Sequence, residues 1–152
     1  MNPFYDITNK LKDALAAEPF INTVTYGSLN DIDLSKQTVF PLAHISANSA
    51  VVETNIIRFN MSILTMDVVD ESRDETSDKF LGNDNEQDVL NTQLSVLTRV
   101  LNLLQRGSIH TDKYQVEAGV SCEPFVDRFE NKLAGWAATF DVVIQNDMTI
   151  CS

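Results

Sequence analysis

The side chains best suited to nucleophilic or metal chemistry are two histidines and two cysteines, His44, His110, Cys122 and Cys151. A cysteine nucleophile needs a nearby base, and neither histidine is linked in sequence to Cys122. There is no C-x-x-C pair, so zinc-ligand spacing is absent. The pattern favours a packed cysteine and two structural histidines over a catalytic pair or a metal site. We expect reduced thiols and no disulfide.

Nucleotide and acyl-transfer chemistry are equally unsupported. No G-x-S-x-G segment is present, and that motif marks the strained turn of many serine hydrolases. The glycines are scattered, so they cannot form a loop that cradles a phosphate. They are Gly27, Gly82, Gly107, Gly119 and Gly135. We therefore expect a protein that is not an enzyme and binds no cofactor.

A run of carboxylates extends from Asp67 to Asp88, where the sequence has nine acidic residues and only two basic ones, Arg73 and Lys79. Carboxylates on a loop suit calcium or magnesium, but the D-x-[DN]-x-[DN]-G order of a calcium loop is missing. We expect a solvated acidic loop, flexible over about residues 70–85, that orders against a basic partner. A small metal-dependent enzyme is the weaker alternative.

Composition sets the wider limits. The chain has 152 residues, 43% of them hydrophobic, which predicts one packed domain spanning residues 1–152. Its net charge of −11 opposes direct binding to nucleic-acid phosphates. No stretch approaches the roughly 18 apolar residues of a membrane span, and the first residues lack the features of a secretory signal. We expect synthesis in the cytosol, protein partners and no membrane association.

Two amphipathic helices are predicted from apolar residues at steps of three and four. The first runs from about Phe4 to Ala17 and stops before Pro19. The second carries apolar residues from Val89 to Leu104, and Gly107 follows it as a C-terminal stop.

Alternating apolar residues predict strands, most clearly from Ile57 onward and from Trp136 to Ile144. Shorter strands are expected at Asn22–Tyr26, Val39–Ile45 and Tyr114–Ala118, and residues 147–152 are expected to fray. The order helix, strands, helix, strands predicts an α+β fold with two helices on one face of a largely antiparallel sheet.

Six apolar or small residues fall where an isolated sheet would face water. The apolar phase shifts beyond Ile63, which requires a bulge or a second buried face. One interpretation is a second core layer or an ordinary hairpin; the other is a surface covered by neighbouring subunits. The candidate interface residues are Ala50, Val51, Val52, Leu64, Met66 and Val68.

The segment from Pro124 to Trp136 and its context carry a family resemblance. Together with the order of elements, the long hairpin whose second arm is Asn55 to Val69 and the leucine-rich helix Val89 to Leu104, this segment resembles tail terminator or tail-completion proteins of tailed bacteriophages. The residues that carry the motif are Pro124, Phe125, Asp127, Arg128, Phe129, Glu130, Leu133, Gly135 and Trp136.

This resemblance implies a virion subunit that assembles with itself into a closed ring, a hexamer or larger, at the head-tail junction. Its other partners would be phage neck, connector and tail proteins, and DNA would pass through the channel without specific binding. Two alternatives stay open. One is a related neck or connector subunit of a short-tailed phage, and the other is an acidic adaptor of a cytosolic protein.

Overall fold

A computed structural model describes residues 3–27, 40–69, 86–106, 114–116, 119–128 and 132–145. These residues form two helices and six strands. The helices are α1 (Pro3–Ala16) and α2 (Glu86–Gln105). The strands are β1 (Thr23–Tyr26), β2 (Leu42–Val52), β3 (Ile56–Val68), β4 (Tyr114–Val116), β5 (Ser121–Arg128) and β6 (Lys132–Gln145).

The six strands form one sheet in which β6 occupies a central position. The order is β1-β2-β3-β6-β4, and β5 also pairs with β6. β1 runs parallel to β2, and every other pairing is antiparallel. β4 and β5 lie along the same edge of β6, β4 beside residues 142–144 and β5 beside residues 132–139. The predicted α+β class with a mostly antiparallel sheet is confirmed.

Both helices pack on the same face of the sheet and bury one continuous core with it. α1 contributes residues spaced by four, and α2 contributes its leucine stripe, as the periodicity predicts. The strands supply alternate residues, because successive side chains point to opposite faces. The fully buried members include Ile7, Leu11, Leu15, Ala43, Ile45, Met61, Ile63, Leu97, Leu104, Ala138 and Val142.

One surface contact ties the two helical segments together. Arg99 of α2 donates two hydrogen bonds to the Glu18 carboxylate, just beyond the end of α1, and the Nη2–Oε2 distance is 2.8 Å. The fork of the guanidinium matches the carboxylate, so this pair fixes orientation more than a lysine would. The Glu18 hydrogen bond also raises the pKa of Arg99 above its ordinary value.

Three strand predictions need correction. Ser121–Arg128 is a strand rather than the polar connection expected from its charged residues and Pro124. β2 begins at Leu42, after a cis peptide bond between Phe40 and Pro41. β3 pairs with β6 without interruption, so the apolar phase change reflects a second buried face and not a bulge in β3. The register shift lies in β2, between Ala47 and Ser49.

In the described part of the core, one polar side chain has no hydrogen-bond partner. Gln93 of α2 is fully buried, and neither its Nε2 nor its Oε1 makes a hydrogen bond. Its backbone oxygen accepts a hydrogen bond from the Thr65 hydroxyl. An unsatisfied buried amide costs stability, because it gives up its hydrogen bonds to water and receives none in return.

Replacing Gln93 by leucine should therefore raise the free energy of unfolding by about 1–3 kcal/mol. Urea denaturation at neutral pH measures the change, and Asn102→Leu on the exposed side of the same helix is the matched control. The control should move stability by no more than about 0.5 kcal/mol. A destabilised Gln93→Leu variant would show that the amide is satisfied in solution.

Candidate subunit interface

The hairpin of β2 and β3 extends well beyond the strand that flanks it. β1 pairs only with residues 42–45 of β2, so the outer edge of β2 from Ser46 to Val52 has no partner among the described strands. Every residue from Ala47 to Val52 is exposed, and the stretch contains no charge and no proline. Natural edge strands usually carry charged residues or prolines, which prevent pairing with another strand. This edge is instead suited to pairing.

The opposite edge of the sheet shows the contrast. β5 carries Pro124, which has no N–H to donate, and the exposed carboxylate of Glu123. Both features discourage the addition of another strand. The outer edge of β2 and the β5 edge are therefore chemically different, since the first carries no charge and no proline.

The hairpin tip, residues 50–55, presents apolar side chains to water. Val51 is 54% exposed and Val52 is 72% exposed, and Ala50 is exposed beside them. The Glu53 N–H donates a 2.9 Å hydrogen bond to the Ile56 oxygen, which closes the turn. These three candidate interface residues are accessible to another molecule.

The other three candidates lie in a second, smaller core on the helix-free face. Met66 is fully buried with Leu42 and Leu133, and Leu64 and Val68 pack against them half-buried. Met66 therefore belongs to a second core layer. The prediction of Met66 as a subunit-interface residue is wrong. Phe40 and Phe125 complete this cluster.

A polar ladder crosses the rest of the helix-free face. The Asn48 amide donates 2.8 Å hydrogen bonds to Asn60 Oδ1 and Ser62 Oγ, and Asn60 donates one of 2.8 Å to Asp141 Oδ1. Ser62 and Thr139 hydroxyls lie 3.2 Å apart. Because these polar groups form hydrogen bonds with one another across β2, β3 and β6, this part of the face is suited to contact with water.

The segment that carries the family resemblance forms the β5–β6 hairpin. Leu133 is fully buried in the second core, and Phe125 packs against it half-buried. Gly135 lies opposite Met66 where β3 approaches most closely, and a Cβ there would collide with the backbone oxygen of Thr65. Phe129 and Glu130 lie outside the described residues, and the side chains of Asp127 and Arg128 are not described.

Trp136 joins this hairpin to α2. Its indole Nε1 donates a 2.8 Å hydrogen bond to the Leu90 oxygen, and its ring packs half-buried against the main core. Trp136 shares the core face of β6, as the alternation predicts, but it is half-buried, whereas its place on that face predicts a buried side chain. Its indole hydrogen bond could not be predicted from the sequence.

Two of the four histidine and cysteine side chains, His44 and Cys122, lie in the described part of the chain. His44 is 2% exposed, its Nε2 lies 2.7 Å from the Gly27 oxygen, and its Nδ1 lies 2.8 Å from the Thr25 hydroxyl. A carbonyl oxygen only accepts, so Nε2 carries the proton and Nδ1 accepts from Thr25. Both ring nitrogens are thus engaged. The Cys122 thiol is free, and burial raises its pKa, which disfavours the reactive thiolate.

Metal binding finds no support in the described part of the chain, where no three His, Cys, Asp or Glu side chains cluster closely enough to hold an ion. The centre of the acidic run, His110 and Cys151 lie outside the described residues. Neither described helix is long and apolar enough to cross a membrane.

The one carboxyl with a shifted pKa among the described acidic residues is Asp67, near the end of β3. Burial raises its pKa above 3.8, and the hydrogen bond from the Val68 N–H opposes this rise in part. The folded protein therefore holds the Asp67 proton more tightly than the unfolded chain does.

The free energy of unfolding must therefore fall as pH rises from 3.8, the pKa of Asp67 in the unfolded chain, through its higher pKa in the folded protein. We expect Asp67→Asn to be more stable than the native protein at pH 7 and to lose this advantage below pH 3.8. Thermal unfolding from pH 3 to pH 7 measures it. A stability difference that does not depend on pH would contradict the burial argument.

No known family matches this chain. A comparison with models of known protein families finds no match, and a comparison with curated protein sequences finds none either. The function therefore has to be argued from the hairpin, the two faces of the sheet and the charge.

Proposed function

We propose that the protein is a structural subunit of a closed ring at the head-tail junction of a tailed bacteriophage, of the tail terminator or tail-completion type. The observation that carries the proposal is the β2–β3 hairpin, whose uncharged open edge ends in the exposed Val51 and Val52. An open strand edge without charge or proline is suited to contact with another chain.

A ring needs two unlike surfaces on each subunit, because the same contact must repeat around an axis until it closes. The open, uncharged β2 edge with its apolar tip supplies one of these surfaces, and it is unlike the β5 edge, where Pro124 and Glu123 discourage pairing. The family resemblance of the Pro124 to Trp136 segment supports the same role.

The charge supports a channel that DNA crosses without being held. A protein retains DNA mainly through lysine and arginine contacts to phosphate. On the described part of the helix-free face, Arg58 is accompanied by the carboxylates of Glu123 and Asp141, and the other polar groups are mostly hydroxyls and amides. With a chain charge of −11, such a face offers little to a phosphate backbone.

In this role the subunit would reside in the virion, after assembly in the host cytoplasm. Its partners would be further copies of itself, the neck or connector proteins on one side and the tail proteins on the other. A neck ring of a short-tailed phage would use the same surfaces with a different copy number, so ring size separates the two roles.

The test is the native mass of the purified protein, measured by light scattering and native mass spectrometry at several concentrations. We expect a discrete hexamer or larger closed ring, and negative-stain electron microscopy should show its channel. A monomer at every concentration that also fails to bind purified tails lacking this subunit would overturn the proposal. Binding of one cytosolic protein by such a monomer would support the adaptor function instead.

A further inference from the structure

An aromatic groove lies between α1 and β1. It encloses about 230 Å³ and is lined chiefly by Phe4, Tyr5, Val24, Tyr26 and Ile45. Tyr5 is 65% exposed and Tyr26 is 54% exposed, so the walls of the groove are open to solvent. The sequence pattern of α1 placed Phe4 in the core, whereas the structure leaves it 37% exposed in this groove.

The groove is held in shape by ring contacts. The Phe4 ring lies 6.2 Å from the Tyr26 ring and 5.7 Å from the Phe59 ring, measured between centroids, and both pairs are tilted or edge-on. Such pairs are favourable arrangements of aromatic rings. A groove formed in advance binds an apolar group without a further ordering cost.

The size and lining of the groove indicate its occupant. Sites for small molecules usually enclose roughly 300–1,000 Å³ and contain several convergent polar groups. This groove is smaller and mainly apolar, with Lys12 as the charged residue among those that line it. A branched aliphatic side chain beside one carboxylate would complement it.

The hairpin tip offers that combination. Val51 and Val52 are exposed, and Glu53 follows them directly. Within the described residues, neither Glu53 nor Lys12 forms an ion pair. Most self-contacts of a chain with a charge of −11 bring like charges together. This contact instead brings one of its few lysines to a carboxylate.

The tip cannot reach the groove of its own molecule. Ile45 lines the groove, and Val52 lies seven residues further along the same extended strand. At about 3.3 Å per residue, the two are roughly 20 Å apart. The groove and the tip can therefore meet only between two copies of the chain.

We propose that Val52 of one copy enters the aromatic groove of the next copy, with Glu53 of the tip beside Lys12 at the groove. Val51 points to the opposite face of β2 and lies outside this contact. This inference adds a contact between neighbouring copies to the proposed ring, and it rests on the proposed function for the claim that the contact repeats. The proposal places α1 and β1 on the surface that receives the hairpin tip. The sequence pattern did not indicate these two elements as part of an interface.

Disulfide trapping tests the contact in a Cys122→Ala, Cys151→Ser background. One variant adds Val52→Cys and the other adds Tyr26→Cys, and the two are mixed under mild oxidation. We expect crosslinks between the two variants and few within either variant alone. Val52→Cys mixed with Thr139→Cys, on the polar ladder, is the control and should stay uncrosslinked. Crosslinking with the control but not with Tyr26→Cys would overturn the proposal.

A charge exchange provides a second measurement. Lys12→Glu and Glu53→Lys should each weaken association about two- to five-fold, as expected for an exposed ion pair, and the double exchange should restore it. Weakening that persists in the double exchange would contradict the pairing of these two residues.

The chain carrying both Val52→Cys and Tyr26→Cys separates this inference from the ring itself. A ladder of crosslinked species that ends at the ring size supports both the groove contact and the closed ring. A ladder that stops at dimers keeps the contact and overturns the ring. A ring seen by light scattering without any crosslink between these positions keeps the ring and overturns the contact.

Discussion

Gly135→Ala should destabilise the protein by about 3 kcal/mol or more, enough to remove much of the stability of an ordinary domain. The added Cβ would collide with the backbone oxygen of Thr65 and press on the Met66 backbone. Backbone in the middle of a paired sheet cannot move aside as a flexible side chain can. The strands would have to separate where β3 and β6 pair most closely.

Gly119→Ala is the matched control for this change. Gly119 has a φ of 79°, but a Cβ there would meet nothing within 4 Å. Its cost should be about 1 kcal/mol, from the left-handed backbone alone. Urea denaturation of the two variants compares the effects. Equal losses would mean that the approach of β3 to Gly135 relaxes in solution.

The double substitution Val51→Asp, Val52→Asp should abolish self-association while leaving the fold intact. Both side chains are exposed in the isolated chain, so stability should change by no more than about 1 kcal/mol. In the assembled form, two buried carboxylates without partners would cost far more than the contact supplies. Sedimentation velocity and thermal unfolding measure the two effects separately.

Val126→Asp serves as the control for that experiment. Val126 is also an exposed valine on a strand, at 44% exposure, but it lies on the guarded β5 edge. It should leave assembly unchanged. Loss of the fold in the double variant would show that the hairpin tip supports the core, and loss of assembly in Val126→Asp would move the interface to the other edge.

The elements that could be predicted from sequence are those with a single periodic signal. The leucine stripe of α2 and the alternation from Trp136 to Ile144 match the structure because each segment buries one continuous face. β5 was missed because Pro124 and its acidic neighbours are typical of a loop, and an edge strand tolerates both.

The candidate interface could be predicted only in part. Exposure of Val51 and Val52 follows from their place at a hairpin tip, but the burial of Met66 depends on Leu133, which is distant in sequence. Phe4 follows the helical apolar spacing and yet lines the groove, where its ring contacts the Tyr26 and Phe59 rings and stays 37% exposed. Such outcomes depend on which elements meet, and periodicity does not encode that.

The central position of β6 has a consequence for how the protein is made. Among the described strands, β6 is the last to leave the ribosome, yet it pairs with β3, β4 and β5 and supplies Phe140, Val142 and Ile144 to the core. Until it emerges, the long edge of β3 has no partner, so a nascent chain exposes an apolar, unpaired surface. The sheet can therefore be completed only after β6 has left the ribosome, and until then the core beneath the β2–β3 hairpin lacks the residues that β6 supplies.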